Sequence, residues 1–245
     1  AKPKKCHAPS EGNGSIETEK ASSGERVVGP LIRRSRDRVR IQVGIDYGTS
    51  ATKVAFSRYP RRRTQVVDFG HRLPYYPPFC LPSVAAFDTK GRLVLGAEAE
   101  RILMEEPWGV GFRRFKVIVA GSVDRQFYDS FTEERFHSYR KKYGRDESLT
   151  PERISAIYLA YVMYFANRSI SRMPEFVGSR LDFDYNICLP IDHIENVPVK
   201  NAFERIFEWA EAIYKIWLVR EEAMEPLKAS QEFEIAAALQ DDTRV

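Results

Sequence analysis

The segment Val39-Arg40-Ile41-Gln42-Val43-Gly44-Ile45 alternates apolar and other residues and runs into Asp46-Tyr47-Gly48-Thr49-Ser50, after which Thr52-Lys53-Val54-Ala55-Phe56-Ser57 alternates again. A period of two puts every second side chain on one face, so each segment reads as a strand with one buried face. Joined by a short Gly-containing turn, the two predict a β-hairpin. Gln65 to Phe69 predicts a third strand, and Tyr75 to Pro82, with three prolines, predicts an extended loop.

Further along, Leu81 to Phe87 and Arg92 to Leu95 flank Asp88-Thr89-Lys90-Gly91, a second hairpin pattern. Gly96 to Leu103 starts a short helix that Pro107 stops, and Phe115 to Val119 reads as a short apolar strand. Thr150 is a good N-cap with Pro151 at the first helical position; Ile154, Ile157, Tyr158, Tyr161 and Phe165 then recur with helical period to about Ser169. Tyr185 to Leu189 predicts a buried strand closed by Pro190. An amphipathic helix follows from about Val199 to Trp217, and Arg220 to Val245 is charged and helix-prone. Strands, then a helix, then strand and helix again, predict a mixed α/β layer structure.

The net charge of +4 is not spread evenly. Residues 1 to 40 carry ten Lys or Arg against five Asp or Glu, so the remainder is slightly acidic. The first 38 residues, poor in apolar side chains, predict a solvated, disordered basic leader, and the folded part is expected over residues 39–245. Without interleaved aromatics this leader gives no reason to expect specific nucleic-acid binding. No run reaches the roughly 18 apolar residues of a membrane span, so no membrane partner is expected. Cys6, Cys80 and Cys188 are odd in number and far apart, which argues against a disulfide scaffold or a zinc module and for a cytoplasmic, reducing location.

The chemistry concentrates between Asp46 and Lys53. Gly48 permits a turn whose backbone N–H groups approach phosphate oxygens, and Thr49 and Ser50 add hydroxyl donors to an anion-binding nest. Asp46, at a strand end, suits a hydrated Mg²⁺, which keeps most of its waters and takes one or two carboxylates. Lys53 returns on the next strand, where its ammonium can reach the phosphates as a point charge. An ordinary hairpin with a Gly turn accounts for the same residues.

With these residues the chain resembles the actin/Hsp70/sugar-kinase ATPase superfamily, and most of all its Hsp70-like branch. Asp46, Gly48, Thr49 and Lys53 match the first phosphate motif. Leu81 to Phe87 with Val94-Leu95-Gly96-Ala97-Glu98-Ala99 is similar to the second hairpin and following helix of Hsp70. Phe115-Lys116 with Gly121 is similar to its Lys-Arg-Leu-Ile-Gly region, though with one extra residue and no following arginine. Leu149 to Ala156 is similar to its Ser-Pro-Glu-Glu-Ile-Ser-Ala helix start, and Asn186 to Pro190 to its Val-Pro strand end. The resemblance spans about Val39 to Trp217. It implies a ribonuclease H-like mixed sheet flanked by helices, the first lobe of an actin-like ATPase domain. It also implies ATP and Mg²⁺ as cofactors, Asp46, Lys116 and Lys53 as catalytic candidates, and a protein client or co-chaperone as partner. Lys53 and Lys116 compete for one phosphate-contacting role. No second phosphate motif or adenosine motif follows, so the second lobe is expected to be absent from this chain, leaving little ATPase activity on its own. Two alternatives stay open: a small-molecule kinase of the same superfamily, and a non-catalytic actin-like scaffold module.

Other patterns are set aside. Asp68-Phe69-Gly70 spells a protein-kinase motif without that family's other motifs. Asp192-His193 lacks a nucleophile, the four histidines show no ligand spacing, and Glu225-Pro226 sits in a polar helical context rather than at a strand end.

Overall fold

The computed structural model describes residues 38–60, 63–89, 92–105, 111–124, 150–189 and 195–220. Residues 1–37 of the expected leader, the stop at Pro107, the pair Asp192-His193 and residues 221–245 with Glu225 lie outside the described residues, while Arg38, expected as the end of the leader, is the first residue of a strand.

Strand β1 (Arg38–Asp46) buries Val39, Ile41, Val43 and Ile45 and exposes Arg38, Arg40, Gln42 and Asp46, as the alternation requires. β2 (Ala51–Arg58) returns antiparallel, with Asp46 opposite Lys53 and Ile41 opposite Arg58. β3 (Thr64–Val66) lines the other side of β2. The chain then forms β4 (Leu81–Pro82), which pairs with Ala51 and Thr52 at the start of β2. After the single residue Ser83 it continues as β5 (Val84–Phe87), the centre of a second sheet between β6 (Leu93–Leu95) and β7 (Gly111–Arg113). Ser83 is therefore the corner where the backbone leaves one sheet for the other. β8 (Arg180–Cys188) joins the first sheet parallel to β1, giving the order β3-β2-β1-β8 and placing Cys188 beside Asp46.

The helices are α1 (Gly96–Glu105), α2 (Phe115–Val123), α3 (Pro151–Ser171) and α4 (Val197–Arg220). α3 begins as expected: the Thr150 hydroxyl accepts from the Arg153 N–H at 3.3 Å, and Pro151 gives up no donor in the first turn. The buried face of β1 joins Ile154, Tyr158 and Leu159 of α3 and Phe203, Ile206 and Ile213 of α4 in one core. A fully buried aliphatic side chain contributes about 2 kcal/mol, so the four on β1 dominate its stability. On its exposed face Arg38–Asp182 and Arg40–Asp184, both at 2.8 Å, tie β1 to β8. Exposed pairs of this kind contribute about 0.5 kcal/mol each. Under α1, buried Glu100 pairs with Arg113 of β7 and anchors that helix to the smaller sheet.

The architecture is a mixed α/β fold, its mixed sheet flanked by helices. Several local expectations need correction. The hairpin arm expected over Leu81 to Phe87 breaks at Ser83 between the two sheets, and of the strand expected as buried over Tyr185 to Leu189 only Tyr185 is buried. Phe115 to Val119 is helical, not a strand. Its β-branched run favours a strand, but its buried apolar positions are Phe115, Ile118 and Val119, and spacings of three and four residues bring them together only on a helix. Arg114, with φ of 60°, turns the chain out of β7 just before it. The third strand ends at Val66, although Val67 and Phe69 are buried and the Val67 N–H still reaches the Val54 carbonyl at 2.8 Å. β8 starts at Arg180, five residues before the expected Tyr185: Asp182 and Asp184 interrupt the apolar run yet occupy the exposed face, where the two arginines meet them.

Candidate phosphate-binding turn

The residues singled out at Asp46 to Lys53 converge at one end of the larger sheet, beyond the carboxyl ends of the parallel strands β1 and β8. Asp46 is exposed on the face opposite the core, flanked in register by Lys53 on β2 and Cys188 on β8, both also exposed. The next residue, Tyr47, points the other way and is fully buried. Its ring packs with Phe115, Tyr158 and Phe203, at centroid distances of 6.1, 6.1 and 6.3 Å, and its hydroxyl donates to Ser155 Oγ at 3.0 Å. Burial holds the Tyr47 phenol far above its ordinary pKa, so it remains a donor. The turn is thus pinned to the core at its first residue.

From there three of the turn's carbonyls are tied down. The Tyr47 carbonyl accepts from Lys116 Nζ at 2.5 Å, the Gly48 carbonyl from Ser83 Oγ at 2.8 Å, and the Ser50 carbonyl from the Ser83 N–H at 3.0 Å. The Gly48 N–H folds back onto the Asp46 carbonyl at 3.0 Å. Among the described residues no acceptor takes the N–H of Thr49 or Ser50. With these carbonyls held, those two donors and the hydroxyls of Thr49 and Ser50 are what the turn offers to an anion. Gly48 is required by close approach and not by an unusual φ: a Cβ there would collide with the Ala51 carbonyl.

Lys116 arrives from α2. The residue is only 4% exposed, and its ammonium lies 5.5 Å from the centroid of the Tyr47 ring. Burial lowers its pKa to about 8 from an ordinary 10.5, with Asp46 and then Cys188 offsetting part of the fall. Lys116 therefore touches the turn from the core side through the Tyr47 carbonyl, while Lys53 stands on the exposed face in register with Asp46.

The lowered pKa of Lys116 has a measurable consequence. Below about pH 8 the amine is charged in the native and unfolded states alike, and the cost of burying that charge is fully present. As pH rises from about 8 to 10.5 the native state releases the proton first, so the unfolded state binds more protons and stability rises. The difference in unfolding free energy between wild type and Lys116→Met should grow by about 3 kcal/mol in favour of wild type across this window. Denaturant melts at pH 7 and pH 10.5 measure it; a flat difference would show that Lys116 is not desolvated.

A chain of hydroxyls lies beneath the turn and had no sequence signature. Ser83 spends its one proton on the Gly48 carbonyl, so in the 3.1 Å contact between Thr52 Oγ1 and Ser83 Oγ the threonine must be the donor. Tyr158 of α3 donates toward the Leu81 and Pro82 carbonyls at 3.3 and 3.1 Å, just before the corner. Ser83 stood inside the segment that resembles Hsp70, but its partner is 35 residues away, a pairing that local pattern cannot show.

Among the described residues no group of three or more His, Cys, Asp or Glu side chains could hold a metal ion. Asp46 alone fits a hydrated cation contacted through water, the arrangement Mg²⁺ favours. Asp68 of the kinase-like triplet accepts the Gly70 N–H at 2.7 Å and closes a local turn. Asn167 lies on α3, where its amide donates to the Tyr214 hydroxyl at 2.8 Å. No helix among the described residues is long and apolar enough to cross a membrane. No protein-family model matches this chain, and a comparison with curated proteins finds no match.

Proposed function

We propose that residues 39–245 form the first lobe of an ATPase domain of the actin/Hsp70/sugar-kinase type, Hsp70-like and cytoplasmic, which binds the phosphates of MgATP on the turn Asp46 to Ser50. The observation that carries this reading is the turn itself: three carbonyls tied from beneath, two N–H groups left for an anion, an exposed carboxylate and two lysines. Its position beyond the carboxyl ends of adjacent parallel strands is where open α/β sheets bind ligands. The order β3-β2-β1-β8, with β8 parallel to β1, supports the ribonuclease H-like part of the reading.

In this reading Thr49 and Ser50 donate to phosphate oxygens, Asp46 holds Mg²⁺ through its waters, and the ammonium groups of Lys53 and Lys116 offset the remaining charge. Bound there, Mg²⁺ would neutralise negative charge on the polyphosphate. The work of such a site is positioning and electrostatics. A protein client or co-chaperone belongs to the same proposal. A small-molecule kinase is a second reading, favoured by Lys53, which leaves the exposed face directly beside Asp46.

Calorimetric titration of ATP with and without Mg²⁺ tests the proposal. Asp46→Asn keeps the shape of the strand end and removes its charge, so the fold should survive while Mg²⁺-dependent affinity falls about tenfold, roughly 1.4 kcal/mol. Equal Mg²⁺-dependent binding by wild type and Asp46→Asn would remove the carboxylate from the site. Unfolding of Asp46→Asn would make it a structural cap.

A further inference from the structure

We infer that Ser83, the corner between the two sheets, is the positioning residue that aims the Thr49 N–H at the bound phosphate; this rests on the phosphate-binding reading of the turn. The peptide unit between Gly48 and Thr49 is planar, and in the trans form its C=O and N–H point in opposite directions. Ser83 Oγ holds the Gly48 carbonyl from the buried side, at 2.8 Å and with the serine itself 1% exposed. The Thr49 N–H is thereby turned away from Ser83. The Ser83 N–H holds the Ser50 carbonyl at 3.0 Å, so one residue fixes both ends of the segment that would face the anion.

The grip is rigid because Ser83 is itself fixed. Its backbone is held by the flanking β4 and β5, which belong to different sheets, and by the Tyr158 hydroxyl, which holds the carbonyls just before it. A turn preorganised in this way binds an anion without first freezing its peptide planes. Without the Ser83 hydroxyl the Gly48 carbonyl loses its buried donor, and the Gly48–Thr49 peptide can rotate toward water.

The experiment compares Ser83→Ala with Thr52→Val. Each removes one hydroxyl from the same buried pair, but only Ser83→Ala releases the Gly48 carbonyl. MgATP affinity is measured by calorimetry, and the Thr49 amide is followed by nitrogen-edited NMR and hydrogen exchange without nucleotide. Ser83→Ala should weaken MgATP binding about fivefold to tenfold and shift the Thr49 amide with faster exchange, while Thr52→Val loses similar thermal stability but leaves both readouts near wild type. Unchanged affinity and an unchanged Thr49 amide in Ser83→Ala overturn the inference, as do equal losses in the two variants, which would mark a merely structural hydroxyl. If the wild type itself does not bind MgATP, the phosphate-binding reading fails, and with it the role in aiming at phosphate; the Thr49 amide still tells whether Ser83 orients that peptide. Should Ser83→Ala not fold, Ser83→Cys keeps the volume with a weaker donor and should show the same changes at smaller amplitude; wild-type behaviour in Ser83→Cys then overturns the inference.

Discussion

Tyr47→Ala should be among the most damaging single substitutions in this chain. The ring is fully buried where β1, α2, α3 and α4 meet, against Phe115, Tyr158 and Phe203. Truncating a buried aromatic to alanine costs about 3 to 5 kcal/mol in lost transfer energy and cavity. For a domain of this size that corresponds to a fall in melting temperature of roughly 10 °C. Tyr47→Phe isolates the hydroxyl: it forfeits only the bond to Ser155, worth about 1 kcal/mol. Calorimetric melting of both variants provides the check, and a loss for Tyr47→Ala no larger than for Tyr47→Phe would mean that the ring is not a core anchor. Because Tyr47 lies between Asp46 and Gly48, the same truncation should also disorder the turn.

Gly48→Ala acts on the same segment by a different route. The added Cβ meets the Ala51 backbone oxygen, and backbone yields less readily than the far end of a side chain. Overpacking of this kind costs about 1 to 3 kcal/mol, and the turn must open to relieve it. Opening carries the Gly48 carbonyl off Ser83 and scatters the two N–H donors. Stability should therefore fall by about 2 kcal/mol while MgATP binding becomes undetectable, a disproportion that core damage alone does not produce. Preserved binding in a folded Gly48→Ala protein would show that the close turn is not needed for the ligand.

The hairpin that carries the site was legible because two independent signals agree there: alternation on both strands, and a Gly between them that only a tight turn uses. α3 was legible for a similar reason, with Thr150 and Pro151 marking its start before any tertiary contact matters. The Phe115 to Val119 segment misled because β-branched residues favour strands locally, whereas the helix is imposed by the core that receives Phe115, Ile118 and Val119. That difference matters for the site: it is α2 that carries Lys116 to the Tyr47 carbonyl. β8 was half hidden because Asp182 and Asp184 look like loop residues until Arg38 and Arg40 stand beside them. The grip of Ser83 on Gly48 was illegible, since it depends on β4 pairing with the start of β2 rather than on any spacing along the chain.

Phosphate binding through the backbone is what would set the Asp46 to Ser50 turn apart from an ordinary hairpin. Titrating the chain with MgATP while recording nitrogen-edited NMR spectra tests this at each amide. Saturable shifts led by Thr49 and Ser50 are expected, with smaller ones at Asp46 and Cys188, and all should disappear when Mg²⁺ is chelated. Thr49 and Ser50 amides that stay fixed at millimolar MgATP, or shifts that saturate elsewhere in the fold, would contradict that binding.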